Sequence, residues 1–355
     1  MERPTEVASE KPGSPSPATV RQWIDVRPGV SFAVAIDSPQ NDPISSALAR
    51  GVLPGFCRPL VGLIEAFVPA GGRILDLGSH VGTFALAASA SGRRVVAVEA
   101  LPQNVSLLGL SRRANRFADL RIVHAALGEE TQLVRFYGYG PFGVVDRDGG
   151  HDESVAVPGV AGDDLLDRME WDRVDFIKMD IEGSEIDGLL GLAGLLRRPD
   201  APPIYVESNG HTLDLFGETP ASLKAVLAAY GYRLYQVEGR RLIPVAIDEY
   251  QGTTVVDYLA VKSVLRSTTS WRVDPPMSPR ERIRRARATL LSPIDHDRAY
   301  AARTIGHAPE SIRTDRRVVR AVEALKADPV ASIRRAASAW SFTPGREPWY
   351  APWRR

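Results

Sequence analysis

The residues that could do chemistry lie in three short stretches, each closing an apolar run. Arg73-Ile74-Leu75 leads into Asp76-Leu77-Gly78-Ser79-His80-Val81-Gly82, and Phe84-Ala85-Leu86-Ala87 leads out of it. Val95-Val96-Ala97-Val98 ends in Glu99, 23 positions after Asp76. Asp175-Phe176-Ile177-Lys178-Met179-Asp180-Ile181-Glu182-Gly183-Ser184-Glu185 is the third. A strand that ends in glycines and turns into a helix makes a pocket. The glycines admit a close backbone approach, and the helix N-terminus presents free N–H groups. Many such turns bind nothing, so the strand-end acid decides the matter. Nucleotide-binding folds hold a ribose with an acid about 20 residues on. Turn and acid together point to a ribose-bearing cofactor.

The glycine spacing bears on which cofactor. A dinucleotide site wants G-x-G-x-x-G for its pyrophosphate. Here the spacing is D-x-G-x-x-x-G, which suits S-adenosylmethionine better, since that cofactor has no phosphate. The turn at Asp76–Gly82, then Glu99-Ala100-Leu101-Pro102-Gln103-Asn104, then Ala126-Leu127-Gly128, then Asp175 to Glu185 occur in that order. Over roughly residues 70 to 240 this resembles the FkbM family of S-adenosylmethionine-dependent methyltransferases. Two departures stand out: Ser79-His80 where the family usually has Ala-Asn, and Ala100 where it usually has Pro. Every acid and glycine is kept. The resemblance implies an α/β fold, a Rossmann-like class I methyltransferase sheet with helices on both faces.

On that reading the cofactor-binding candidates are Asp76, Gly78, Ser79, His80, Gly82, Glu99 and Ala126. Gly78 and Gly82 let the methionine part lie against the backbone. Glu99 accepts from both ribose hydroxyls. Asp76 either holds the turn or reaches the cofactor's amino group, and adenine rests at His124-Ala125-Ala126.

The catalytic candidates are Asp180, Glu182 and His211. Asp180 and Glu182 end a strand, where open α/β sheets bind ligands. A carboxylate of ordinary pKa, about 4, is a weak base for an alcohol. Asp180 therefore needs burial or a divalent metal to ionise a hydroxyl. Glu207 ends the next strand, and His211 is an alternative base with a more suitable pKa. Several carboxylates at one cleft repel unless a cation or a proton sits among them. Mg²⁺ fits such ligands, but direct base catalysis by Asp180 is preferred, with Glu182 available to bond the amides of its own turn. Lys178 shares a face with Asp180 and reads as a structural ion pair.

These residues need a scaffold. The alternation of strands 73–77, 94–99, 120–124 and 174–180 with helices 82–91 and 103–115 predicts a parallel sheet. Leu133 to Tyr137 is an extended run followed by an aromatic loop, a flap or a surface hairpin, with Asp146 to Gly150 exposed. A helix runs from Gly183 to about Leu196, and strands 232–237 and 254–261 form an antiparallel pair. Residues 1–20 read as a disordered tail, 21–70 as a lid or pre-domain segment, 71–262 as the cofactor-binding domain, and 263–355 as a basic helical extension. From Ser263 on there are 19 Lys or Arg against 9 Asp or Glu, while the whole chain carries +1.

With 44% hydrophobic and 25% charged residues the composition is that of an ordinary globular protein. One cysteine, Cys57, excludes an internal disulfide and a multi-cysteine zinc site. No run approaches the ~20 apolar residues of a membrane span. The start of the chain lacks a signal-peptide core, so a cytoplasmic location is expected. The expected activity is O-methylation of a hydroxyl on a small molecule, polyketide- or sugar-like on the family resemblance. An N-methyltransferase of the same fold and a non-catalytic scaffold remain alternatives. A nicotinamide oxidoreductase is disfavoured by the glycine spacing. Of partners, a small-molecule acceptor is expected and a membrane is not. Nucleic acid is disfavoured, and a homo-oligomer through the C-terminal helices stays open.

Overall fold

The computed structural model describes residues 20–36, 43–139, 142–146 and 153–339. The expectations for the N-terminal tail, for Gly140-Pro141 in the aromatic loop, for residues 147–150 and for the end of the basic extension from 340 on fall outside these residues. The chain forms two compact units, Met1–Val206 and Glu207–Arg355.

The first unit opens with a hairpin of β1 (Val20–Arg27) and β2 (Val30–Ile36), turned at Pro28-Gly29 with Gly29 at φ +78°. Helices α1 (Pro43–Ala49) and α2 (Cys57–Phe67) follow. α2 buries Cys57, Leu60, Leu63 and Ile64. Then come β3 (Arg73–Leu77), α3 (Thr83–Ala90), β4 (Arg94–Glu99), α4 (Pro102–Asn115) and β5 (Leu120–His124). Four more strands form a second sheet: β6 (Ala126–Gly128), β7 (Leu133–Tyr139), β8 (Phe142–Val145) and β9 (Val155–Ala161), in the order β6-β9-β7-β8. After α5 (Gly162–Met169), β10 (Phe176–Met179), α6 (Glu185–Leu190) and α7 (Ala193–Leu196), β11 (Ile204–Asn209) leaves the unit.

β11, β10, β3, β4 and β5 lie side by side in that order, all parallel. The chain moves outward from β3 through β4 to β5, then returns to place β10 on the other side of β3. That reversal leaves a crevice at the carboxyl ends of β3 and β10, where open sheets bind ligands.

Two local expectations give way. Asp146 is buried, because its carboxylate accepts from the Ser154 hydroxyl and faces Arg135 at 3.7 Å. The helix after Gly183 breaks at Gly191, where an added Cβ would stand 2.1 Å from the Gly128 carbonyl oxygen. That contact with β6 is invisible to a helical periodicity.

The second unit carries α8 (Gly210–Leu215), α9 (Pro220–Ala229), β12 (Arg233–Glu238), β13 (Arg241–Val245), β14 (Val255–Val261) and β15 (Arg272–Val273). β12 pairs antiparallel with both β13 and β14. Helices α10 (Pro279–Leu290), α11 (Asp295–Thr304), α12 (Glu310–Arg313), α13 (Arg316–Leu325) and α14 (Ala331–Ala339) complete it. Their core gathers Ala286, Leu290, Val318, Val322 and Ile333, with Tyr250 packed against it.

The division at Val206/Glu207 differs from the 262/263 boundary suggested by charge and periodicity, because α10 and α11 are tied to the strand region. Arg285 meets Glu238 at 2.5 Å, Arg282 meets Glu249 at 3.3 Å, and Thr289 Oγ1 donates to the Gly252 carbonyl. The Thr254 hydroxyl donates to Asp297 at 3.1 Å. Part of the basic excess is therefore spent inside the unit. Among the described residues no helix is long and apolar enough to cross a membrane.

Candidate cofactor and acceptor site

A cleft in the first unit encloses about 860 Å³ out to its open mouth. It is lined by the turn after β3, the tip of β4, the segment after β5, the turn after β10, and parts of the second sheet.

The turn after β3 is built on β4. The backbone N–H groups of Gly78 and Ser79 donate to the Val98 carbonyl at 3.0 Å, and Gly82 N–H closes back on Ser79 at 2.8 Å. Gly78 sits at φ +75° and Gly82 at φ +86°. A Cβ on Gly78 would stand 1.7 Å from the Asp180 carbonyl oxygen, and one on Gly82 would stand 2.2 Å from Leu108 Cδ1. The close approach that demands glycine is thus made by the protein's own backbone and by α4.

Glu99 anchors the same turn. One of its oxygens accepts from His80 N–H at 2.8 Å; the other accepts from Leu101 N–H at 2.9 Å and the Asn104 amide at 3.3 Å. A carboxylate offers about four acceptor positions, so three protein donors leave little room for two ribose hydroxyls. Its first duty is to fix the loop. Asn104 was missed as a site residue, although it stands in the quoted Glu99–Asn104 stretch, one helical turn beyond the strand tip.

Under the turn lies a buried ion cluster. Lys178 is 5% exposed and donates to the Gly78 carbonyl at 2.6 Å. Its ammonium lies 3.6 Å from Asp76 Oδ1 and 3.4 Å from Asp180 Oδ2. The ion pair expected of Lys178 is a bridge between two of the three chemical stretches. Burial pushes the Asp76 carboxyl up to about 6, with Lys178 opposing and Asp180 and Glu99 adding to the rise.

At the turn after β10, Glu182 stands at φ +53° and Gly183 at φ +101°. A non-glycine residue held there is strained by roughly 1–3 kcal/mol, and such strain gathers at functional sites. Glu185, not Glu182, bonds the turn amides: its Oε1 accepts from Ile181 N–H at 3.1 Å and Gly183 N–H at 3.2 Å. Glu182 is left lining the cleft. Burial, then the nearby Asp180 and Glu185 charges, push its carboxyl up to about 8. Burial pushes Glu185 up to about 7. The mutual repulsion foreseen for these acids is met by a cation, Lys178, and by protons.

Thr83 and Ser184 line the cleft, and among the described residues neither buried hydroxyl has a hydrogen-bond partner. They suit the polar groups of a bound molecule. Ala100, Ala126 and Phe136, which also line the cleft, form an apolar patch with Val157. The unpaired hydroxyls and the apolar slot fit the amino-acid and adenine parts of S-adenosylmethionine, and the one acceptor position left on Glu99 fits a single ribose hydroxyl. The cofactor supplies the electrophilic methyl group, and the protein supplies alignment.

Glu207 and His211 are not among the lining residues. Both belong to the second unit, where the His211 ring packs edge-on to His296 at 4.9 Å. Burial and then His296 hold His211 below the usual histidine range. Among the described residues no group of three His, Cys, Asp or Glu side chains is placed to hold a metal ion.

Comparison with known proteins gives a match over residues 76–234 to the family described as "Methyltransferase FkbM domain". Comparison with the curated proteins gives no match. Among solved structures, a precorrin-6y C5,15-methyltransferase from Geobacter metallireducens GS-15 is similar at 16% identity, over 58% of this chain and 87% of that one, with TM-score 0.35. A TehB-like SAM-dependent methyltransferase from Corynebacterium glutamicum is similar at 14% identity, over 61% and 93%, with TM-score 0.35. These likenesses are distant, and the fold is read from the strand order itself. With the family match laid over that order and over the cleft it builds, residues 76–234 belong to the FkbM family and form an S-adenosylmethionine-dependent methyltransferase domain.

Proposed function

We propose that this domain methylates a hydroxyl oxygen of a small molecule, with Glu182 receiving the proton. The observation that carries the reading is Glu182 itself, strained, half-buried and facing the cleft beside Asp180. Methyl transfer from a sulfonium is an in-line displacement, so the acceptor must be held in line and must lose its proton. A base works best with a pKa near the operating pH. Glu182 meets that condition at about 8. Asp180 is the weaker candidate, because its carboxylate is already engaged with Lys178. It serves better to hold the turn after β10 against the turn after β3. A neutral amine attacks before it loses its proton and a hydroxyl gains most from losing it as it attacks, so a proton acceptor at this position matters more for oxygen than for nitrogen.

The test compares wild type with Glu182→Gln and Asp180→Asn, using methyl-labelled S-adenosylmethionine and a panel of hydroxylated small molecules. Glu182→Gln should bind the cofactor normally by calorimetry and lose about 10²–10⁴-fold in turnover, the usual worth of a general base. Wild-type rate should rise with pH as Glu182 deprotonates near 8, with no response to chelator. Turnover that survives in Glu182→Gln would refute the assignment; loss confined to Asp180→Asn would return the role to Asp180.

A further inference from the structure

The cleft gathers more acid than its own cation can neutralise. Its titratable lining is His80 from the glycine turn, Glu99 from the tip of β4, and Lys178, Asp180 and Glu182 from β10 and its turn. Asp76 and Glu185 stand behind this lining, 1% and 2% exposed. Asp187, further along α6, lines a different cavity. Five carboxyl groups, those of Asp76, Glu99, Asp180, Glu182 and Glu185, are thus set around the Lys178 ammonium. Four of them are answered by the protein. Glu99 accepts from three N–H donors and Glu185 from two, while Asp76 and Asp180 share Lys178. The sharing is thin, since neither oxygen of Asp76 has a hydrogen-bond partner among the described residues. For Glu182 the described residues supply neither an N–H donor nor an ion pair. The cluster is a cation short on the side that faces the cleft.

We propose that Glu182 keeps its proton in the cofactor-free protein and releases it when S-adenosylmethionine binds, so that the positive charge of the cofactor readies the base and the product lacks that hold. The inference rests on the reading of Glu182 as the proton acceptor and adds what arms it. S-adenosylmethionine carries a sulfonium and S-adenosylhomocysteine does not. In an in-line transfer the methyl group, the acceptor oxygen and its proton fill the space between sulfur and carboxylate, a span under about 8 Å. At that range, with an effective dielectric of about 20, a unit positive charge favours the ionised carboxylate by about tenfold or more. Glu182 responds most, because the other acids already face Lys178 or N–H donors. Burial, then Asp180 and Glu185, hold its carboxyl at about 8, so at neutral pH there is a proton to release. The charges also balance over a turnover. Glu182 takes the acceptor's proton as the oxygen bonds the methyl carbon and the S–C electron pair stays on sulfur. Carboxylate and sulfonium are neutralised in the same step, and the cluster returns to its starting charge.

The experiment is calorimetric titration of the full chain with S-adenosylmethionine and with S-adenosylhomocysteine at pH 7, repeated in buffers of different ionisation enthalpy to count the protons exchanged. Glu182→Gln is the comparison. Glu182→Gly, which suits the φ of +53° at this position, is a second variant without the carboxyl. The ligand's own amino group titrates alike with all three proteins and cancels in the difference. On binding S-adenosylmethionine, wild type should release about 0.5–1 proton more than either variant; with S-adenosylhomocysteine the excess should vanish. Wild-type preference for S-adenosylmethionine over S-adenosylhomocysteine should grow about tenfold more between pH 6 and 8.5 than that of the variants. At pH 6, where Glu182 keeps its proton, all three should bind S-adenosylmethionine alike. Equal proton release by wild type and both variants, or an equal excess with the two ligands, would overturn the proposal. Failure of wild type to bind S-adenosylmethionine would overturn the cofactor site and this proposal together. No excess release, with turnover still lost in Glu182→Gln, would remove only the linkage and leave Glu182 as the base.

Discussion

Replacing Glu99 by alanine tests whether the strand-end acid serves the cofactor, the loop, or both. The side chain is 7% exposed and receives three hydrogen bonds, at 2.8, 2.9 and 3.3 Å. Two of the donors are backbone N–H groups, of His80 and Leu101, which cannot move away without unwinding the turn. A buried donor left unsatisfied costs about 1–3 kcal/mol. The cleft is open, so water can reach part of the hole, and the low end applies to each. Glu99→Ala should therefore lower stability by about 2–4 kcal/mol. A protein of this size should then lose several degrees of Tm, at about 2–4 °C per kcal/mol. Cofactor affinity falls for two reasons, lost contact with the ribose and a loosened His80 backbone. Together these should weaken S-adenosylmethionine binding by about 30- to 1,000-fold, each decade being about 1.4 kcal/mol. Calorimetric titration and thermal melting measure the two effects separately. Asn104→Ala, which removes only the longest of the three bonds, should lose less on both counts. A Glu99→Ala protein with wild-type Tm and cofactor affinity within threefold would refute the geometry assigned to this acid.

Glu185 should make stability fall with rising pH. Its folded pKa, raised to about 7 by burial, lies above its ordinary value of 4.5, so its contribution is present below that ordinary value and lost as pH rises through about 7. The loss is on the order of 3 kcal/mol. Glu185→Gln keeps an acceptor for Ile181 and Gly183 but cannot ionise, and its Tm should drop less than that of wild type between pH 5 and 8.5. Equal drops would acquit Glu185. Gly78→Ala should be far more destabilising than Gly71→Ala. Both glycines have positive φ, but only Gly78 faces a backbone oxygen where the new Cβ would go. Equal denaturant midpoints for the two variants would contradict that contact. Ending the chain at Val264 should leave the second unit unable to fold, because Tyr250, Thr254, Glu238 and Glu249 lose the helices they pack on or pair with. A cooperative melt near the wild-type Tm would show those ties to be dispensable.

The local parts of this protein were legible from the chain alone. β3, β4 and β5 have the predicted bounds. An apolar run, a glycine turn and an acid at a strand tip are written in consecutive residues, so neighbours along the chain suffice to read them. β9 was missed because Pro158 and Gly159 interrupt its pattern. It exists because β6 and β7 pair with its two edges.

Tertiary structure alone decided the division of labour among the acids. Asp180, Glu182 and Glu185 are the same chemical group within six residues, and nothing in their order says which is paired, which is free to take a proton and which holds the turn. Lys178 selects Asp180 by lying 3.4 Å from it, and the Ile181 and Gly183 amides select Glu185. Glu182 is left to the cleft. The same holds for Ile44 and Phe56, which no motif marks and which the fold carries to the cleft wall. Burial and charge act through space, and a carboxyl's pKa depends on what surrounds it more than on what precedes it in the chain.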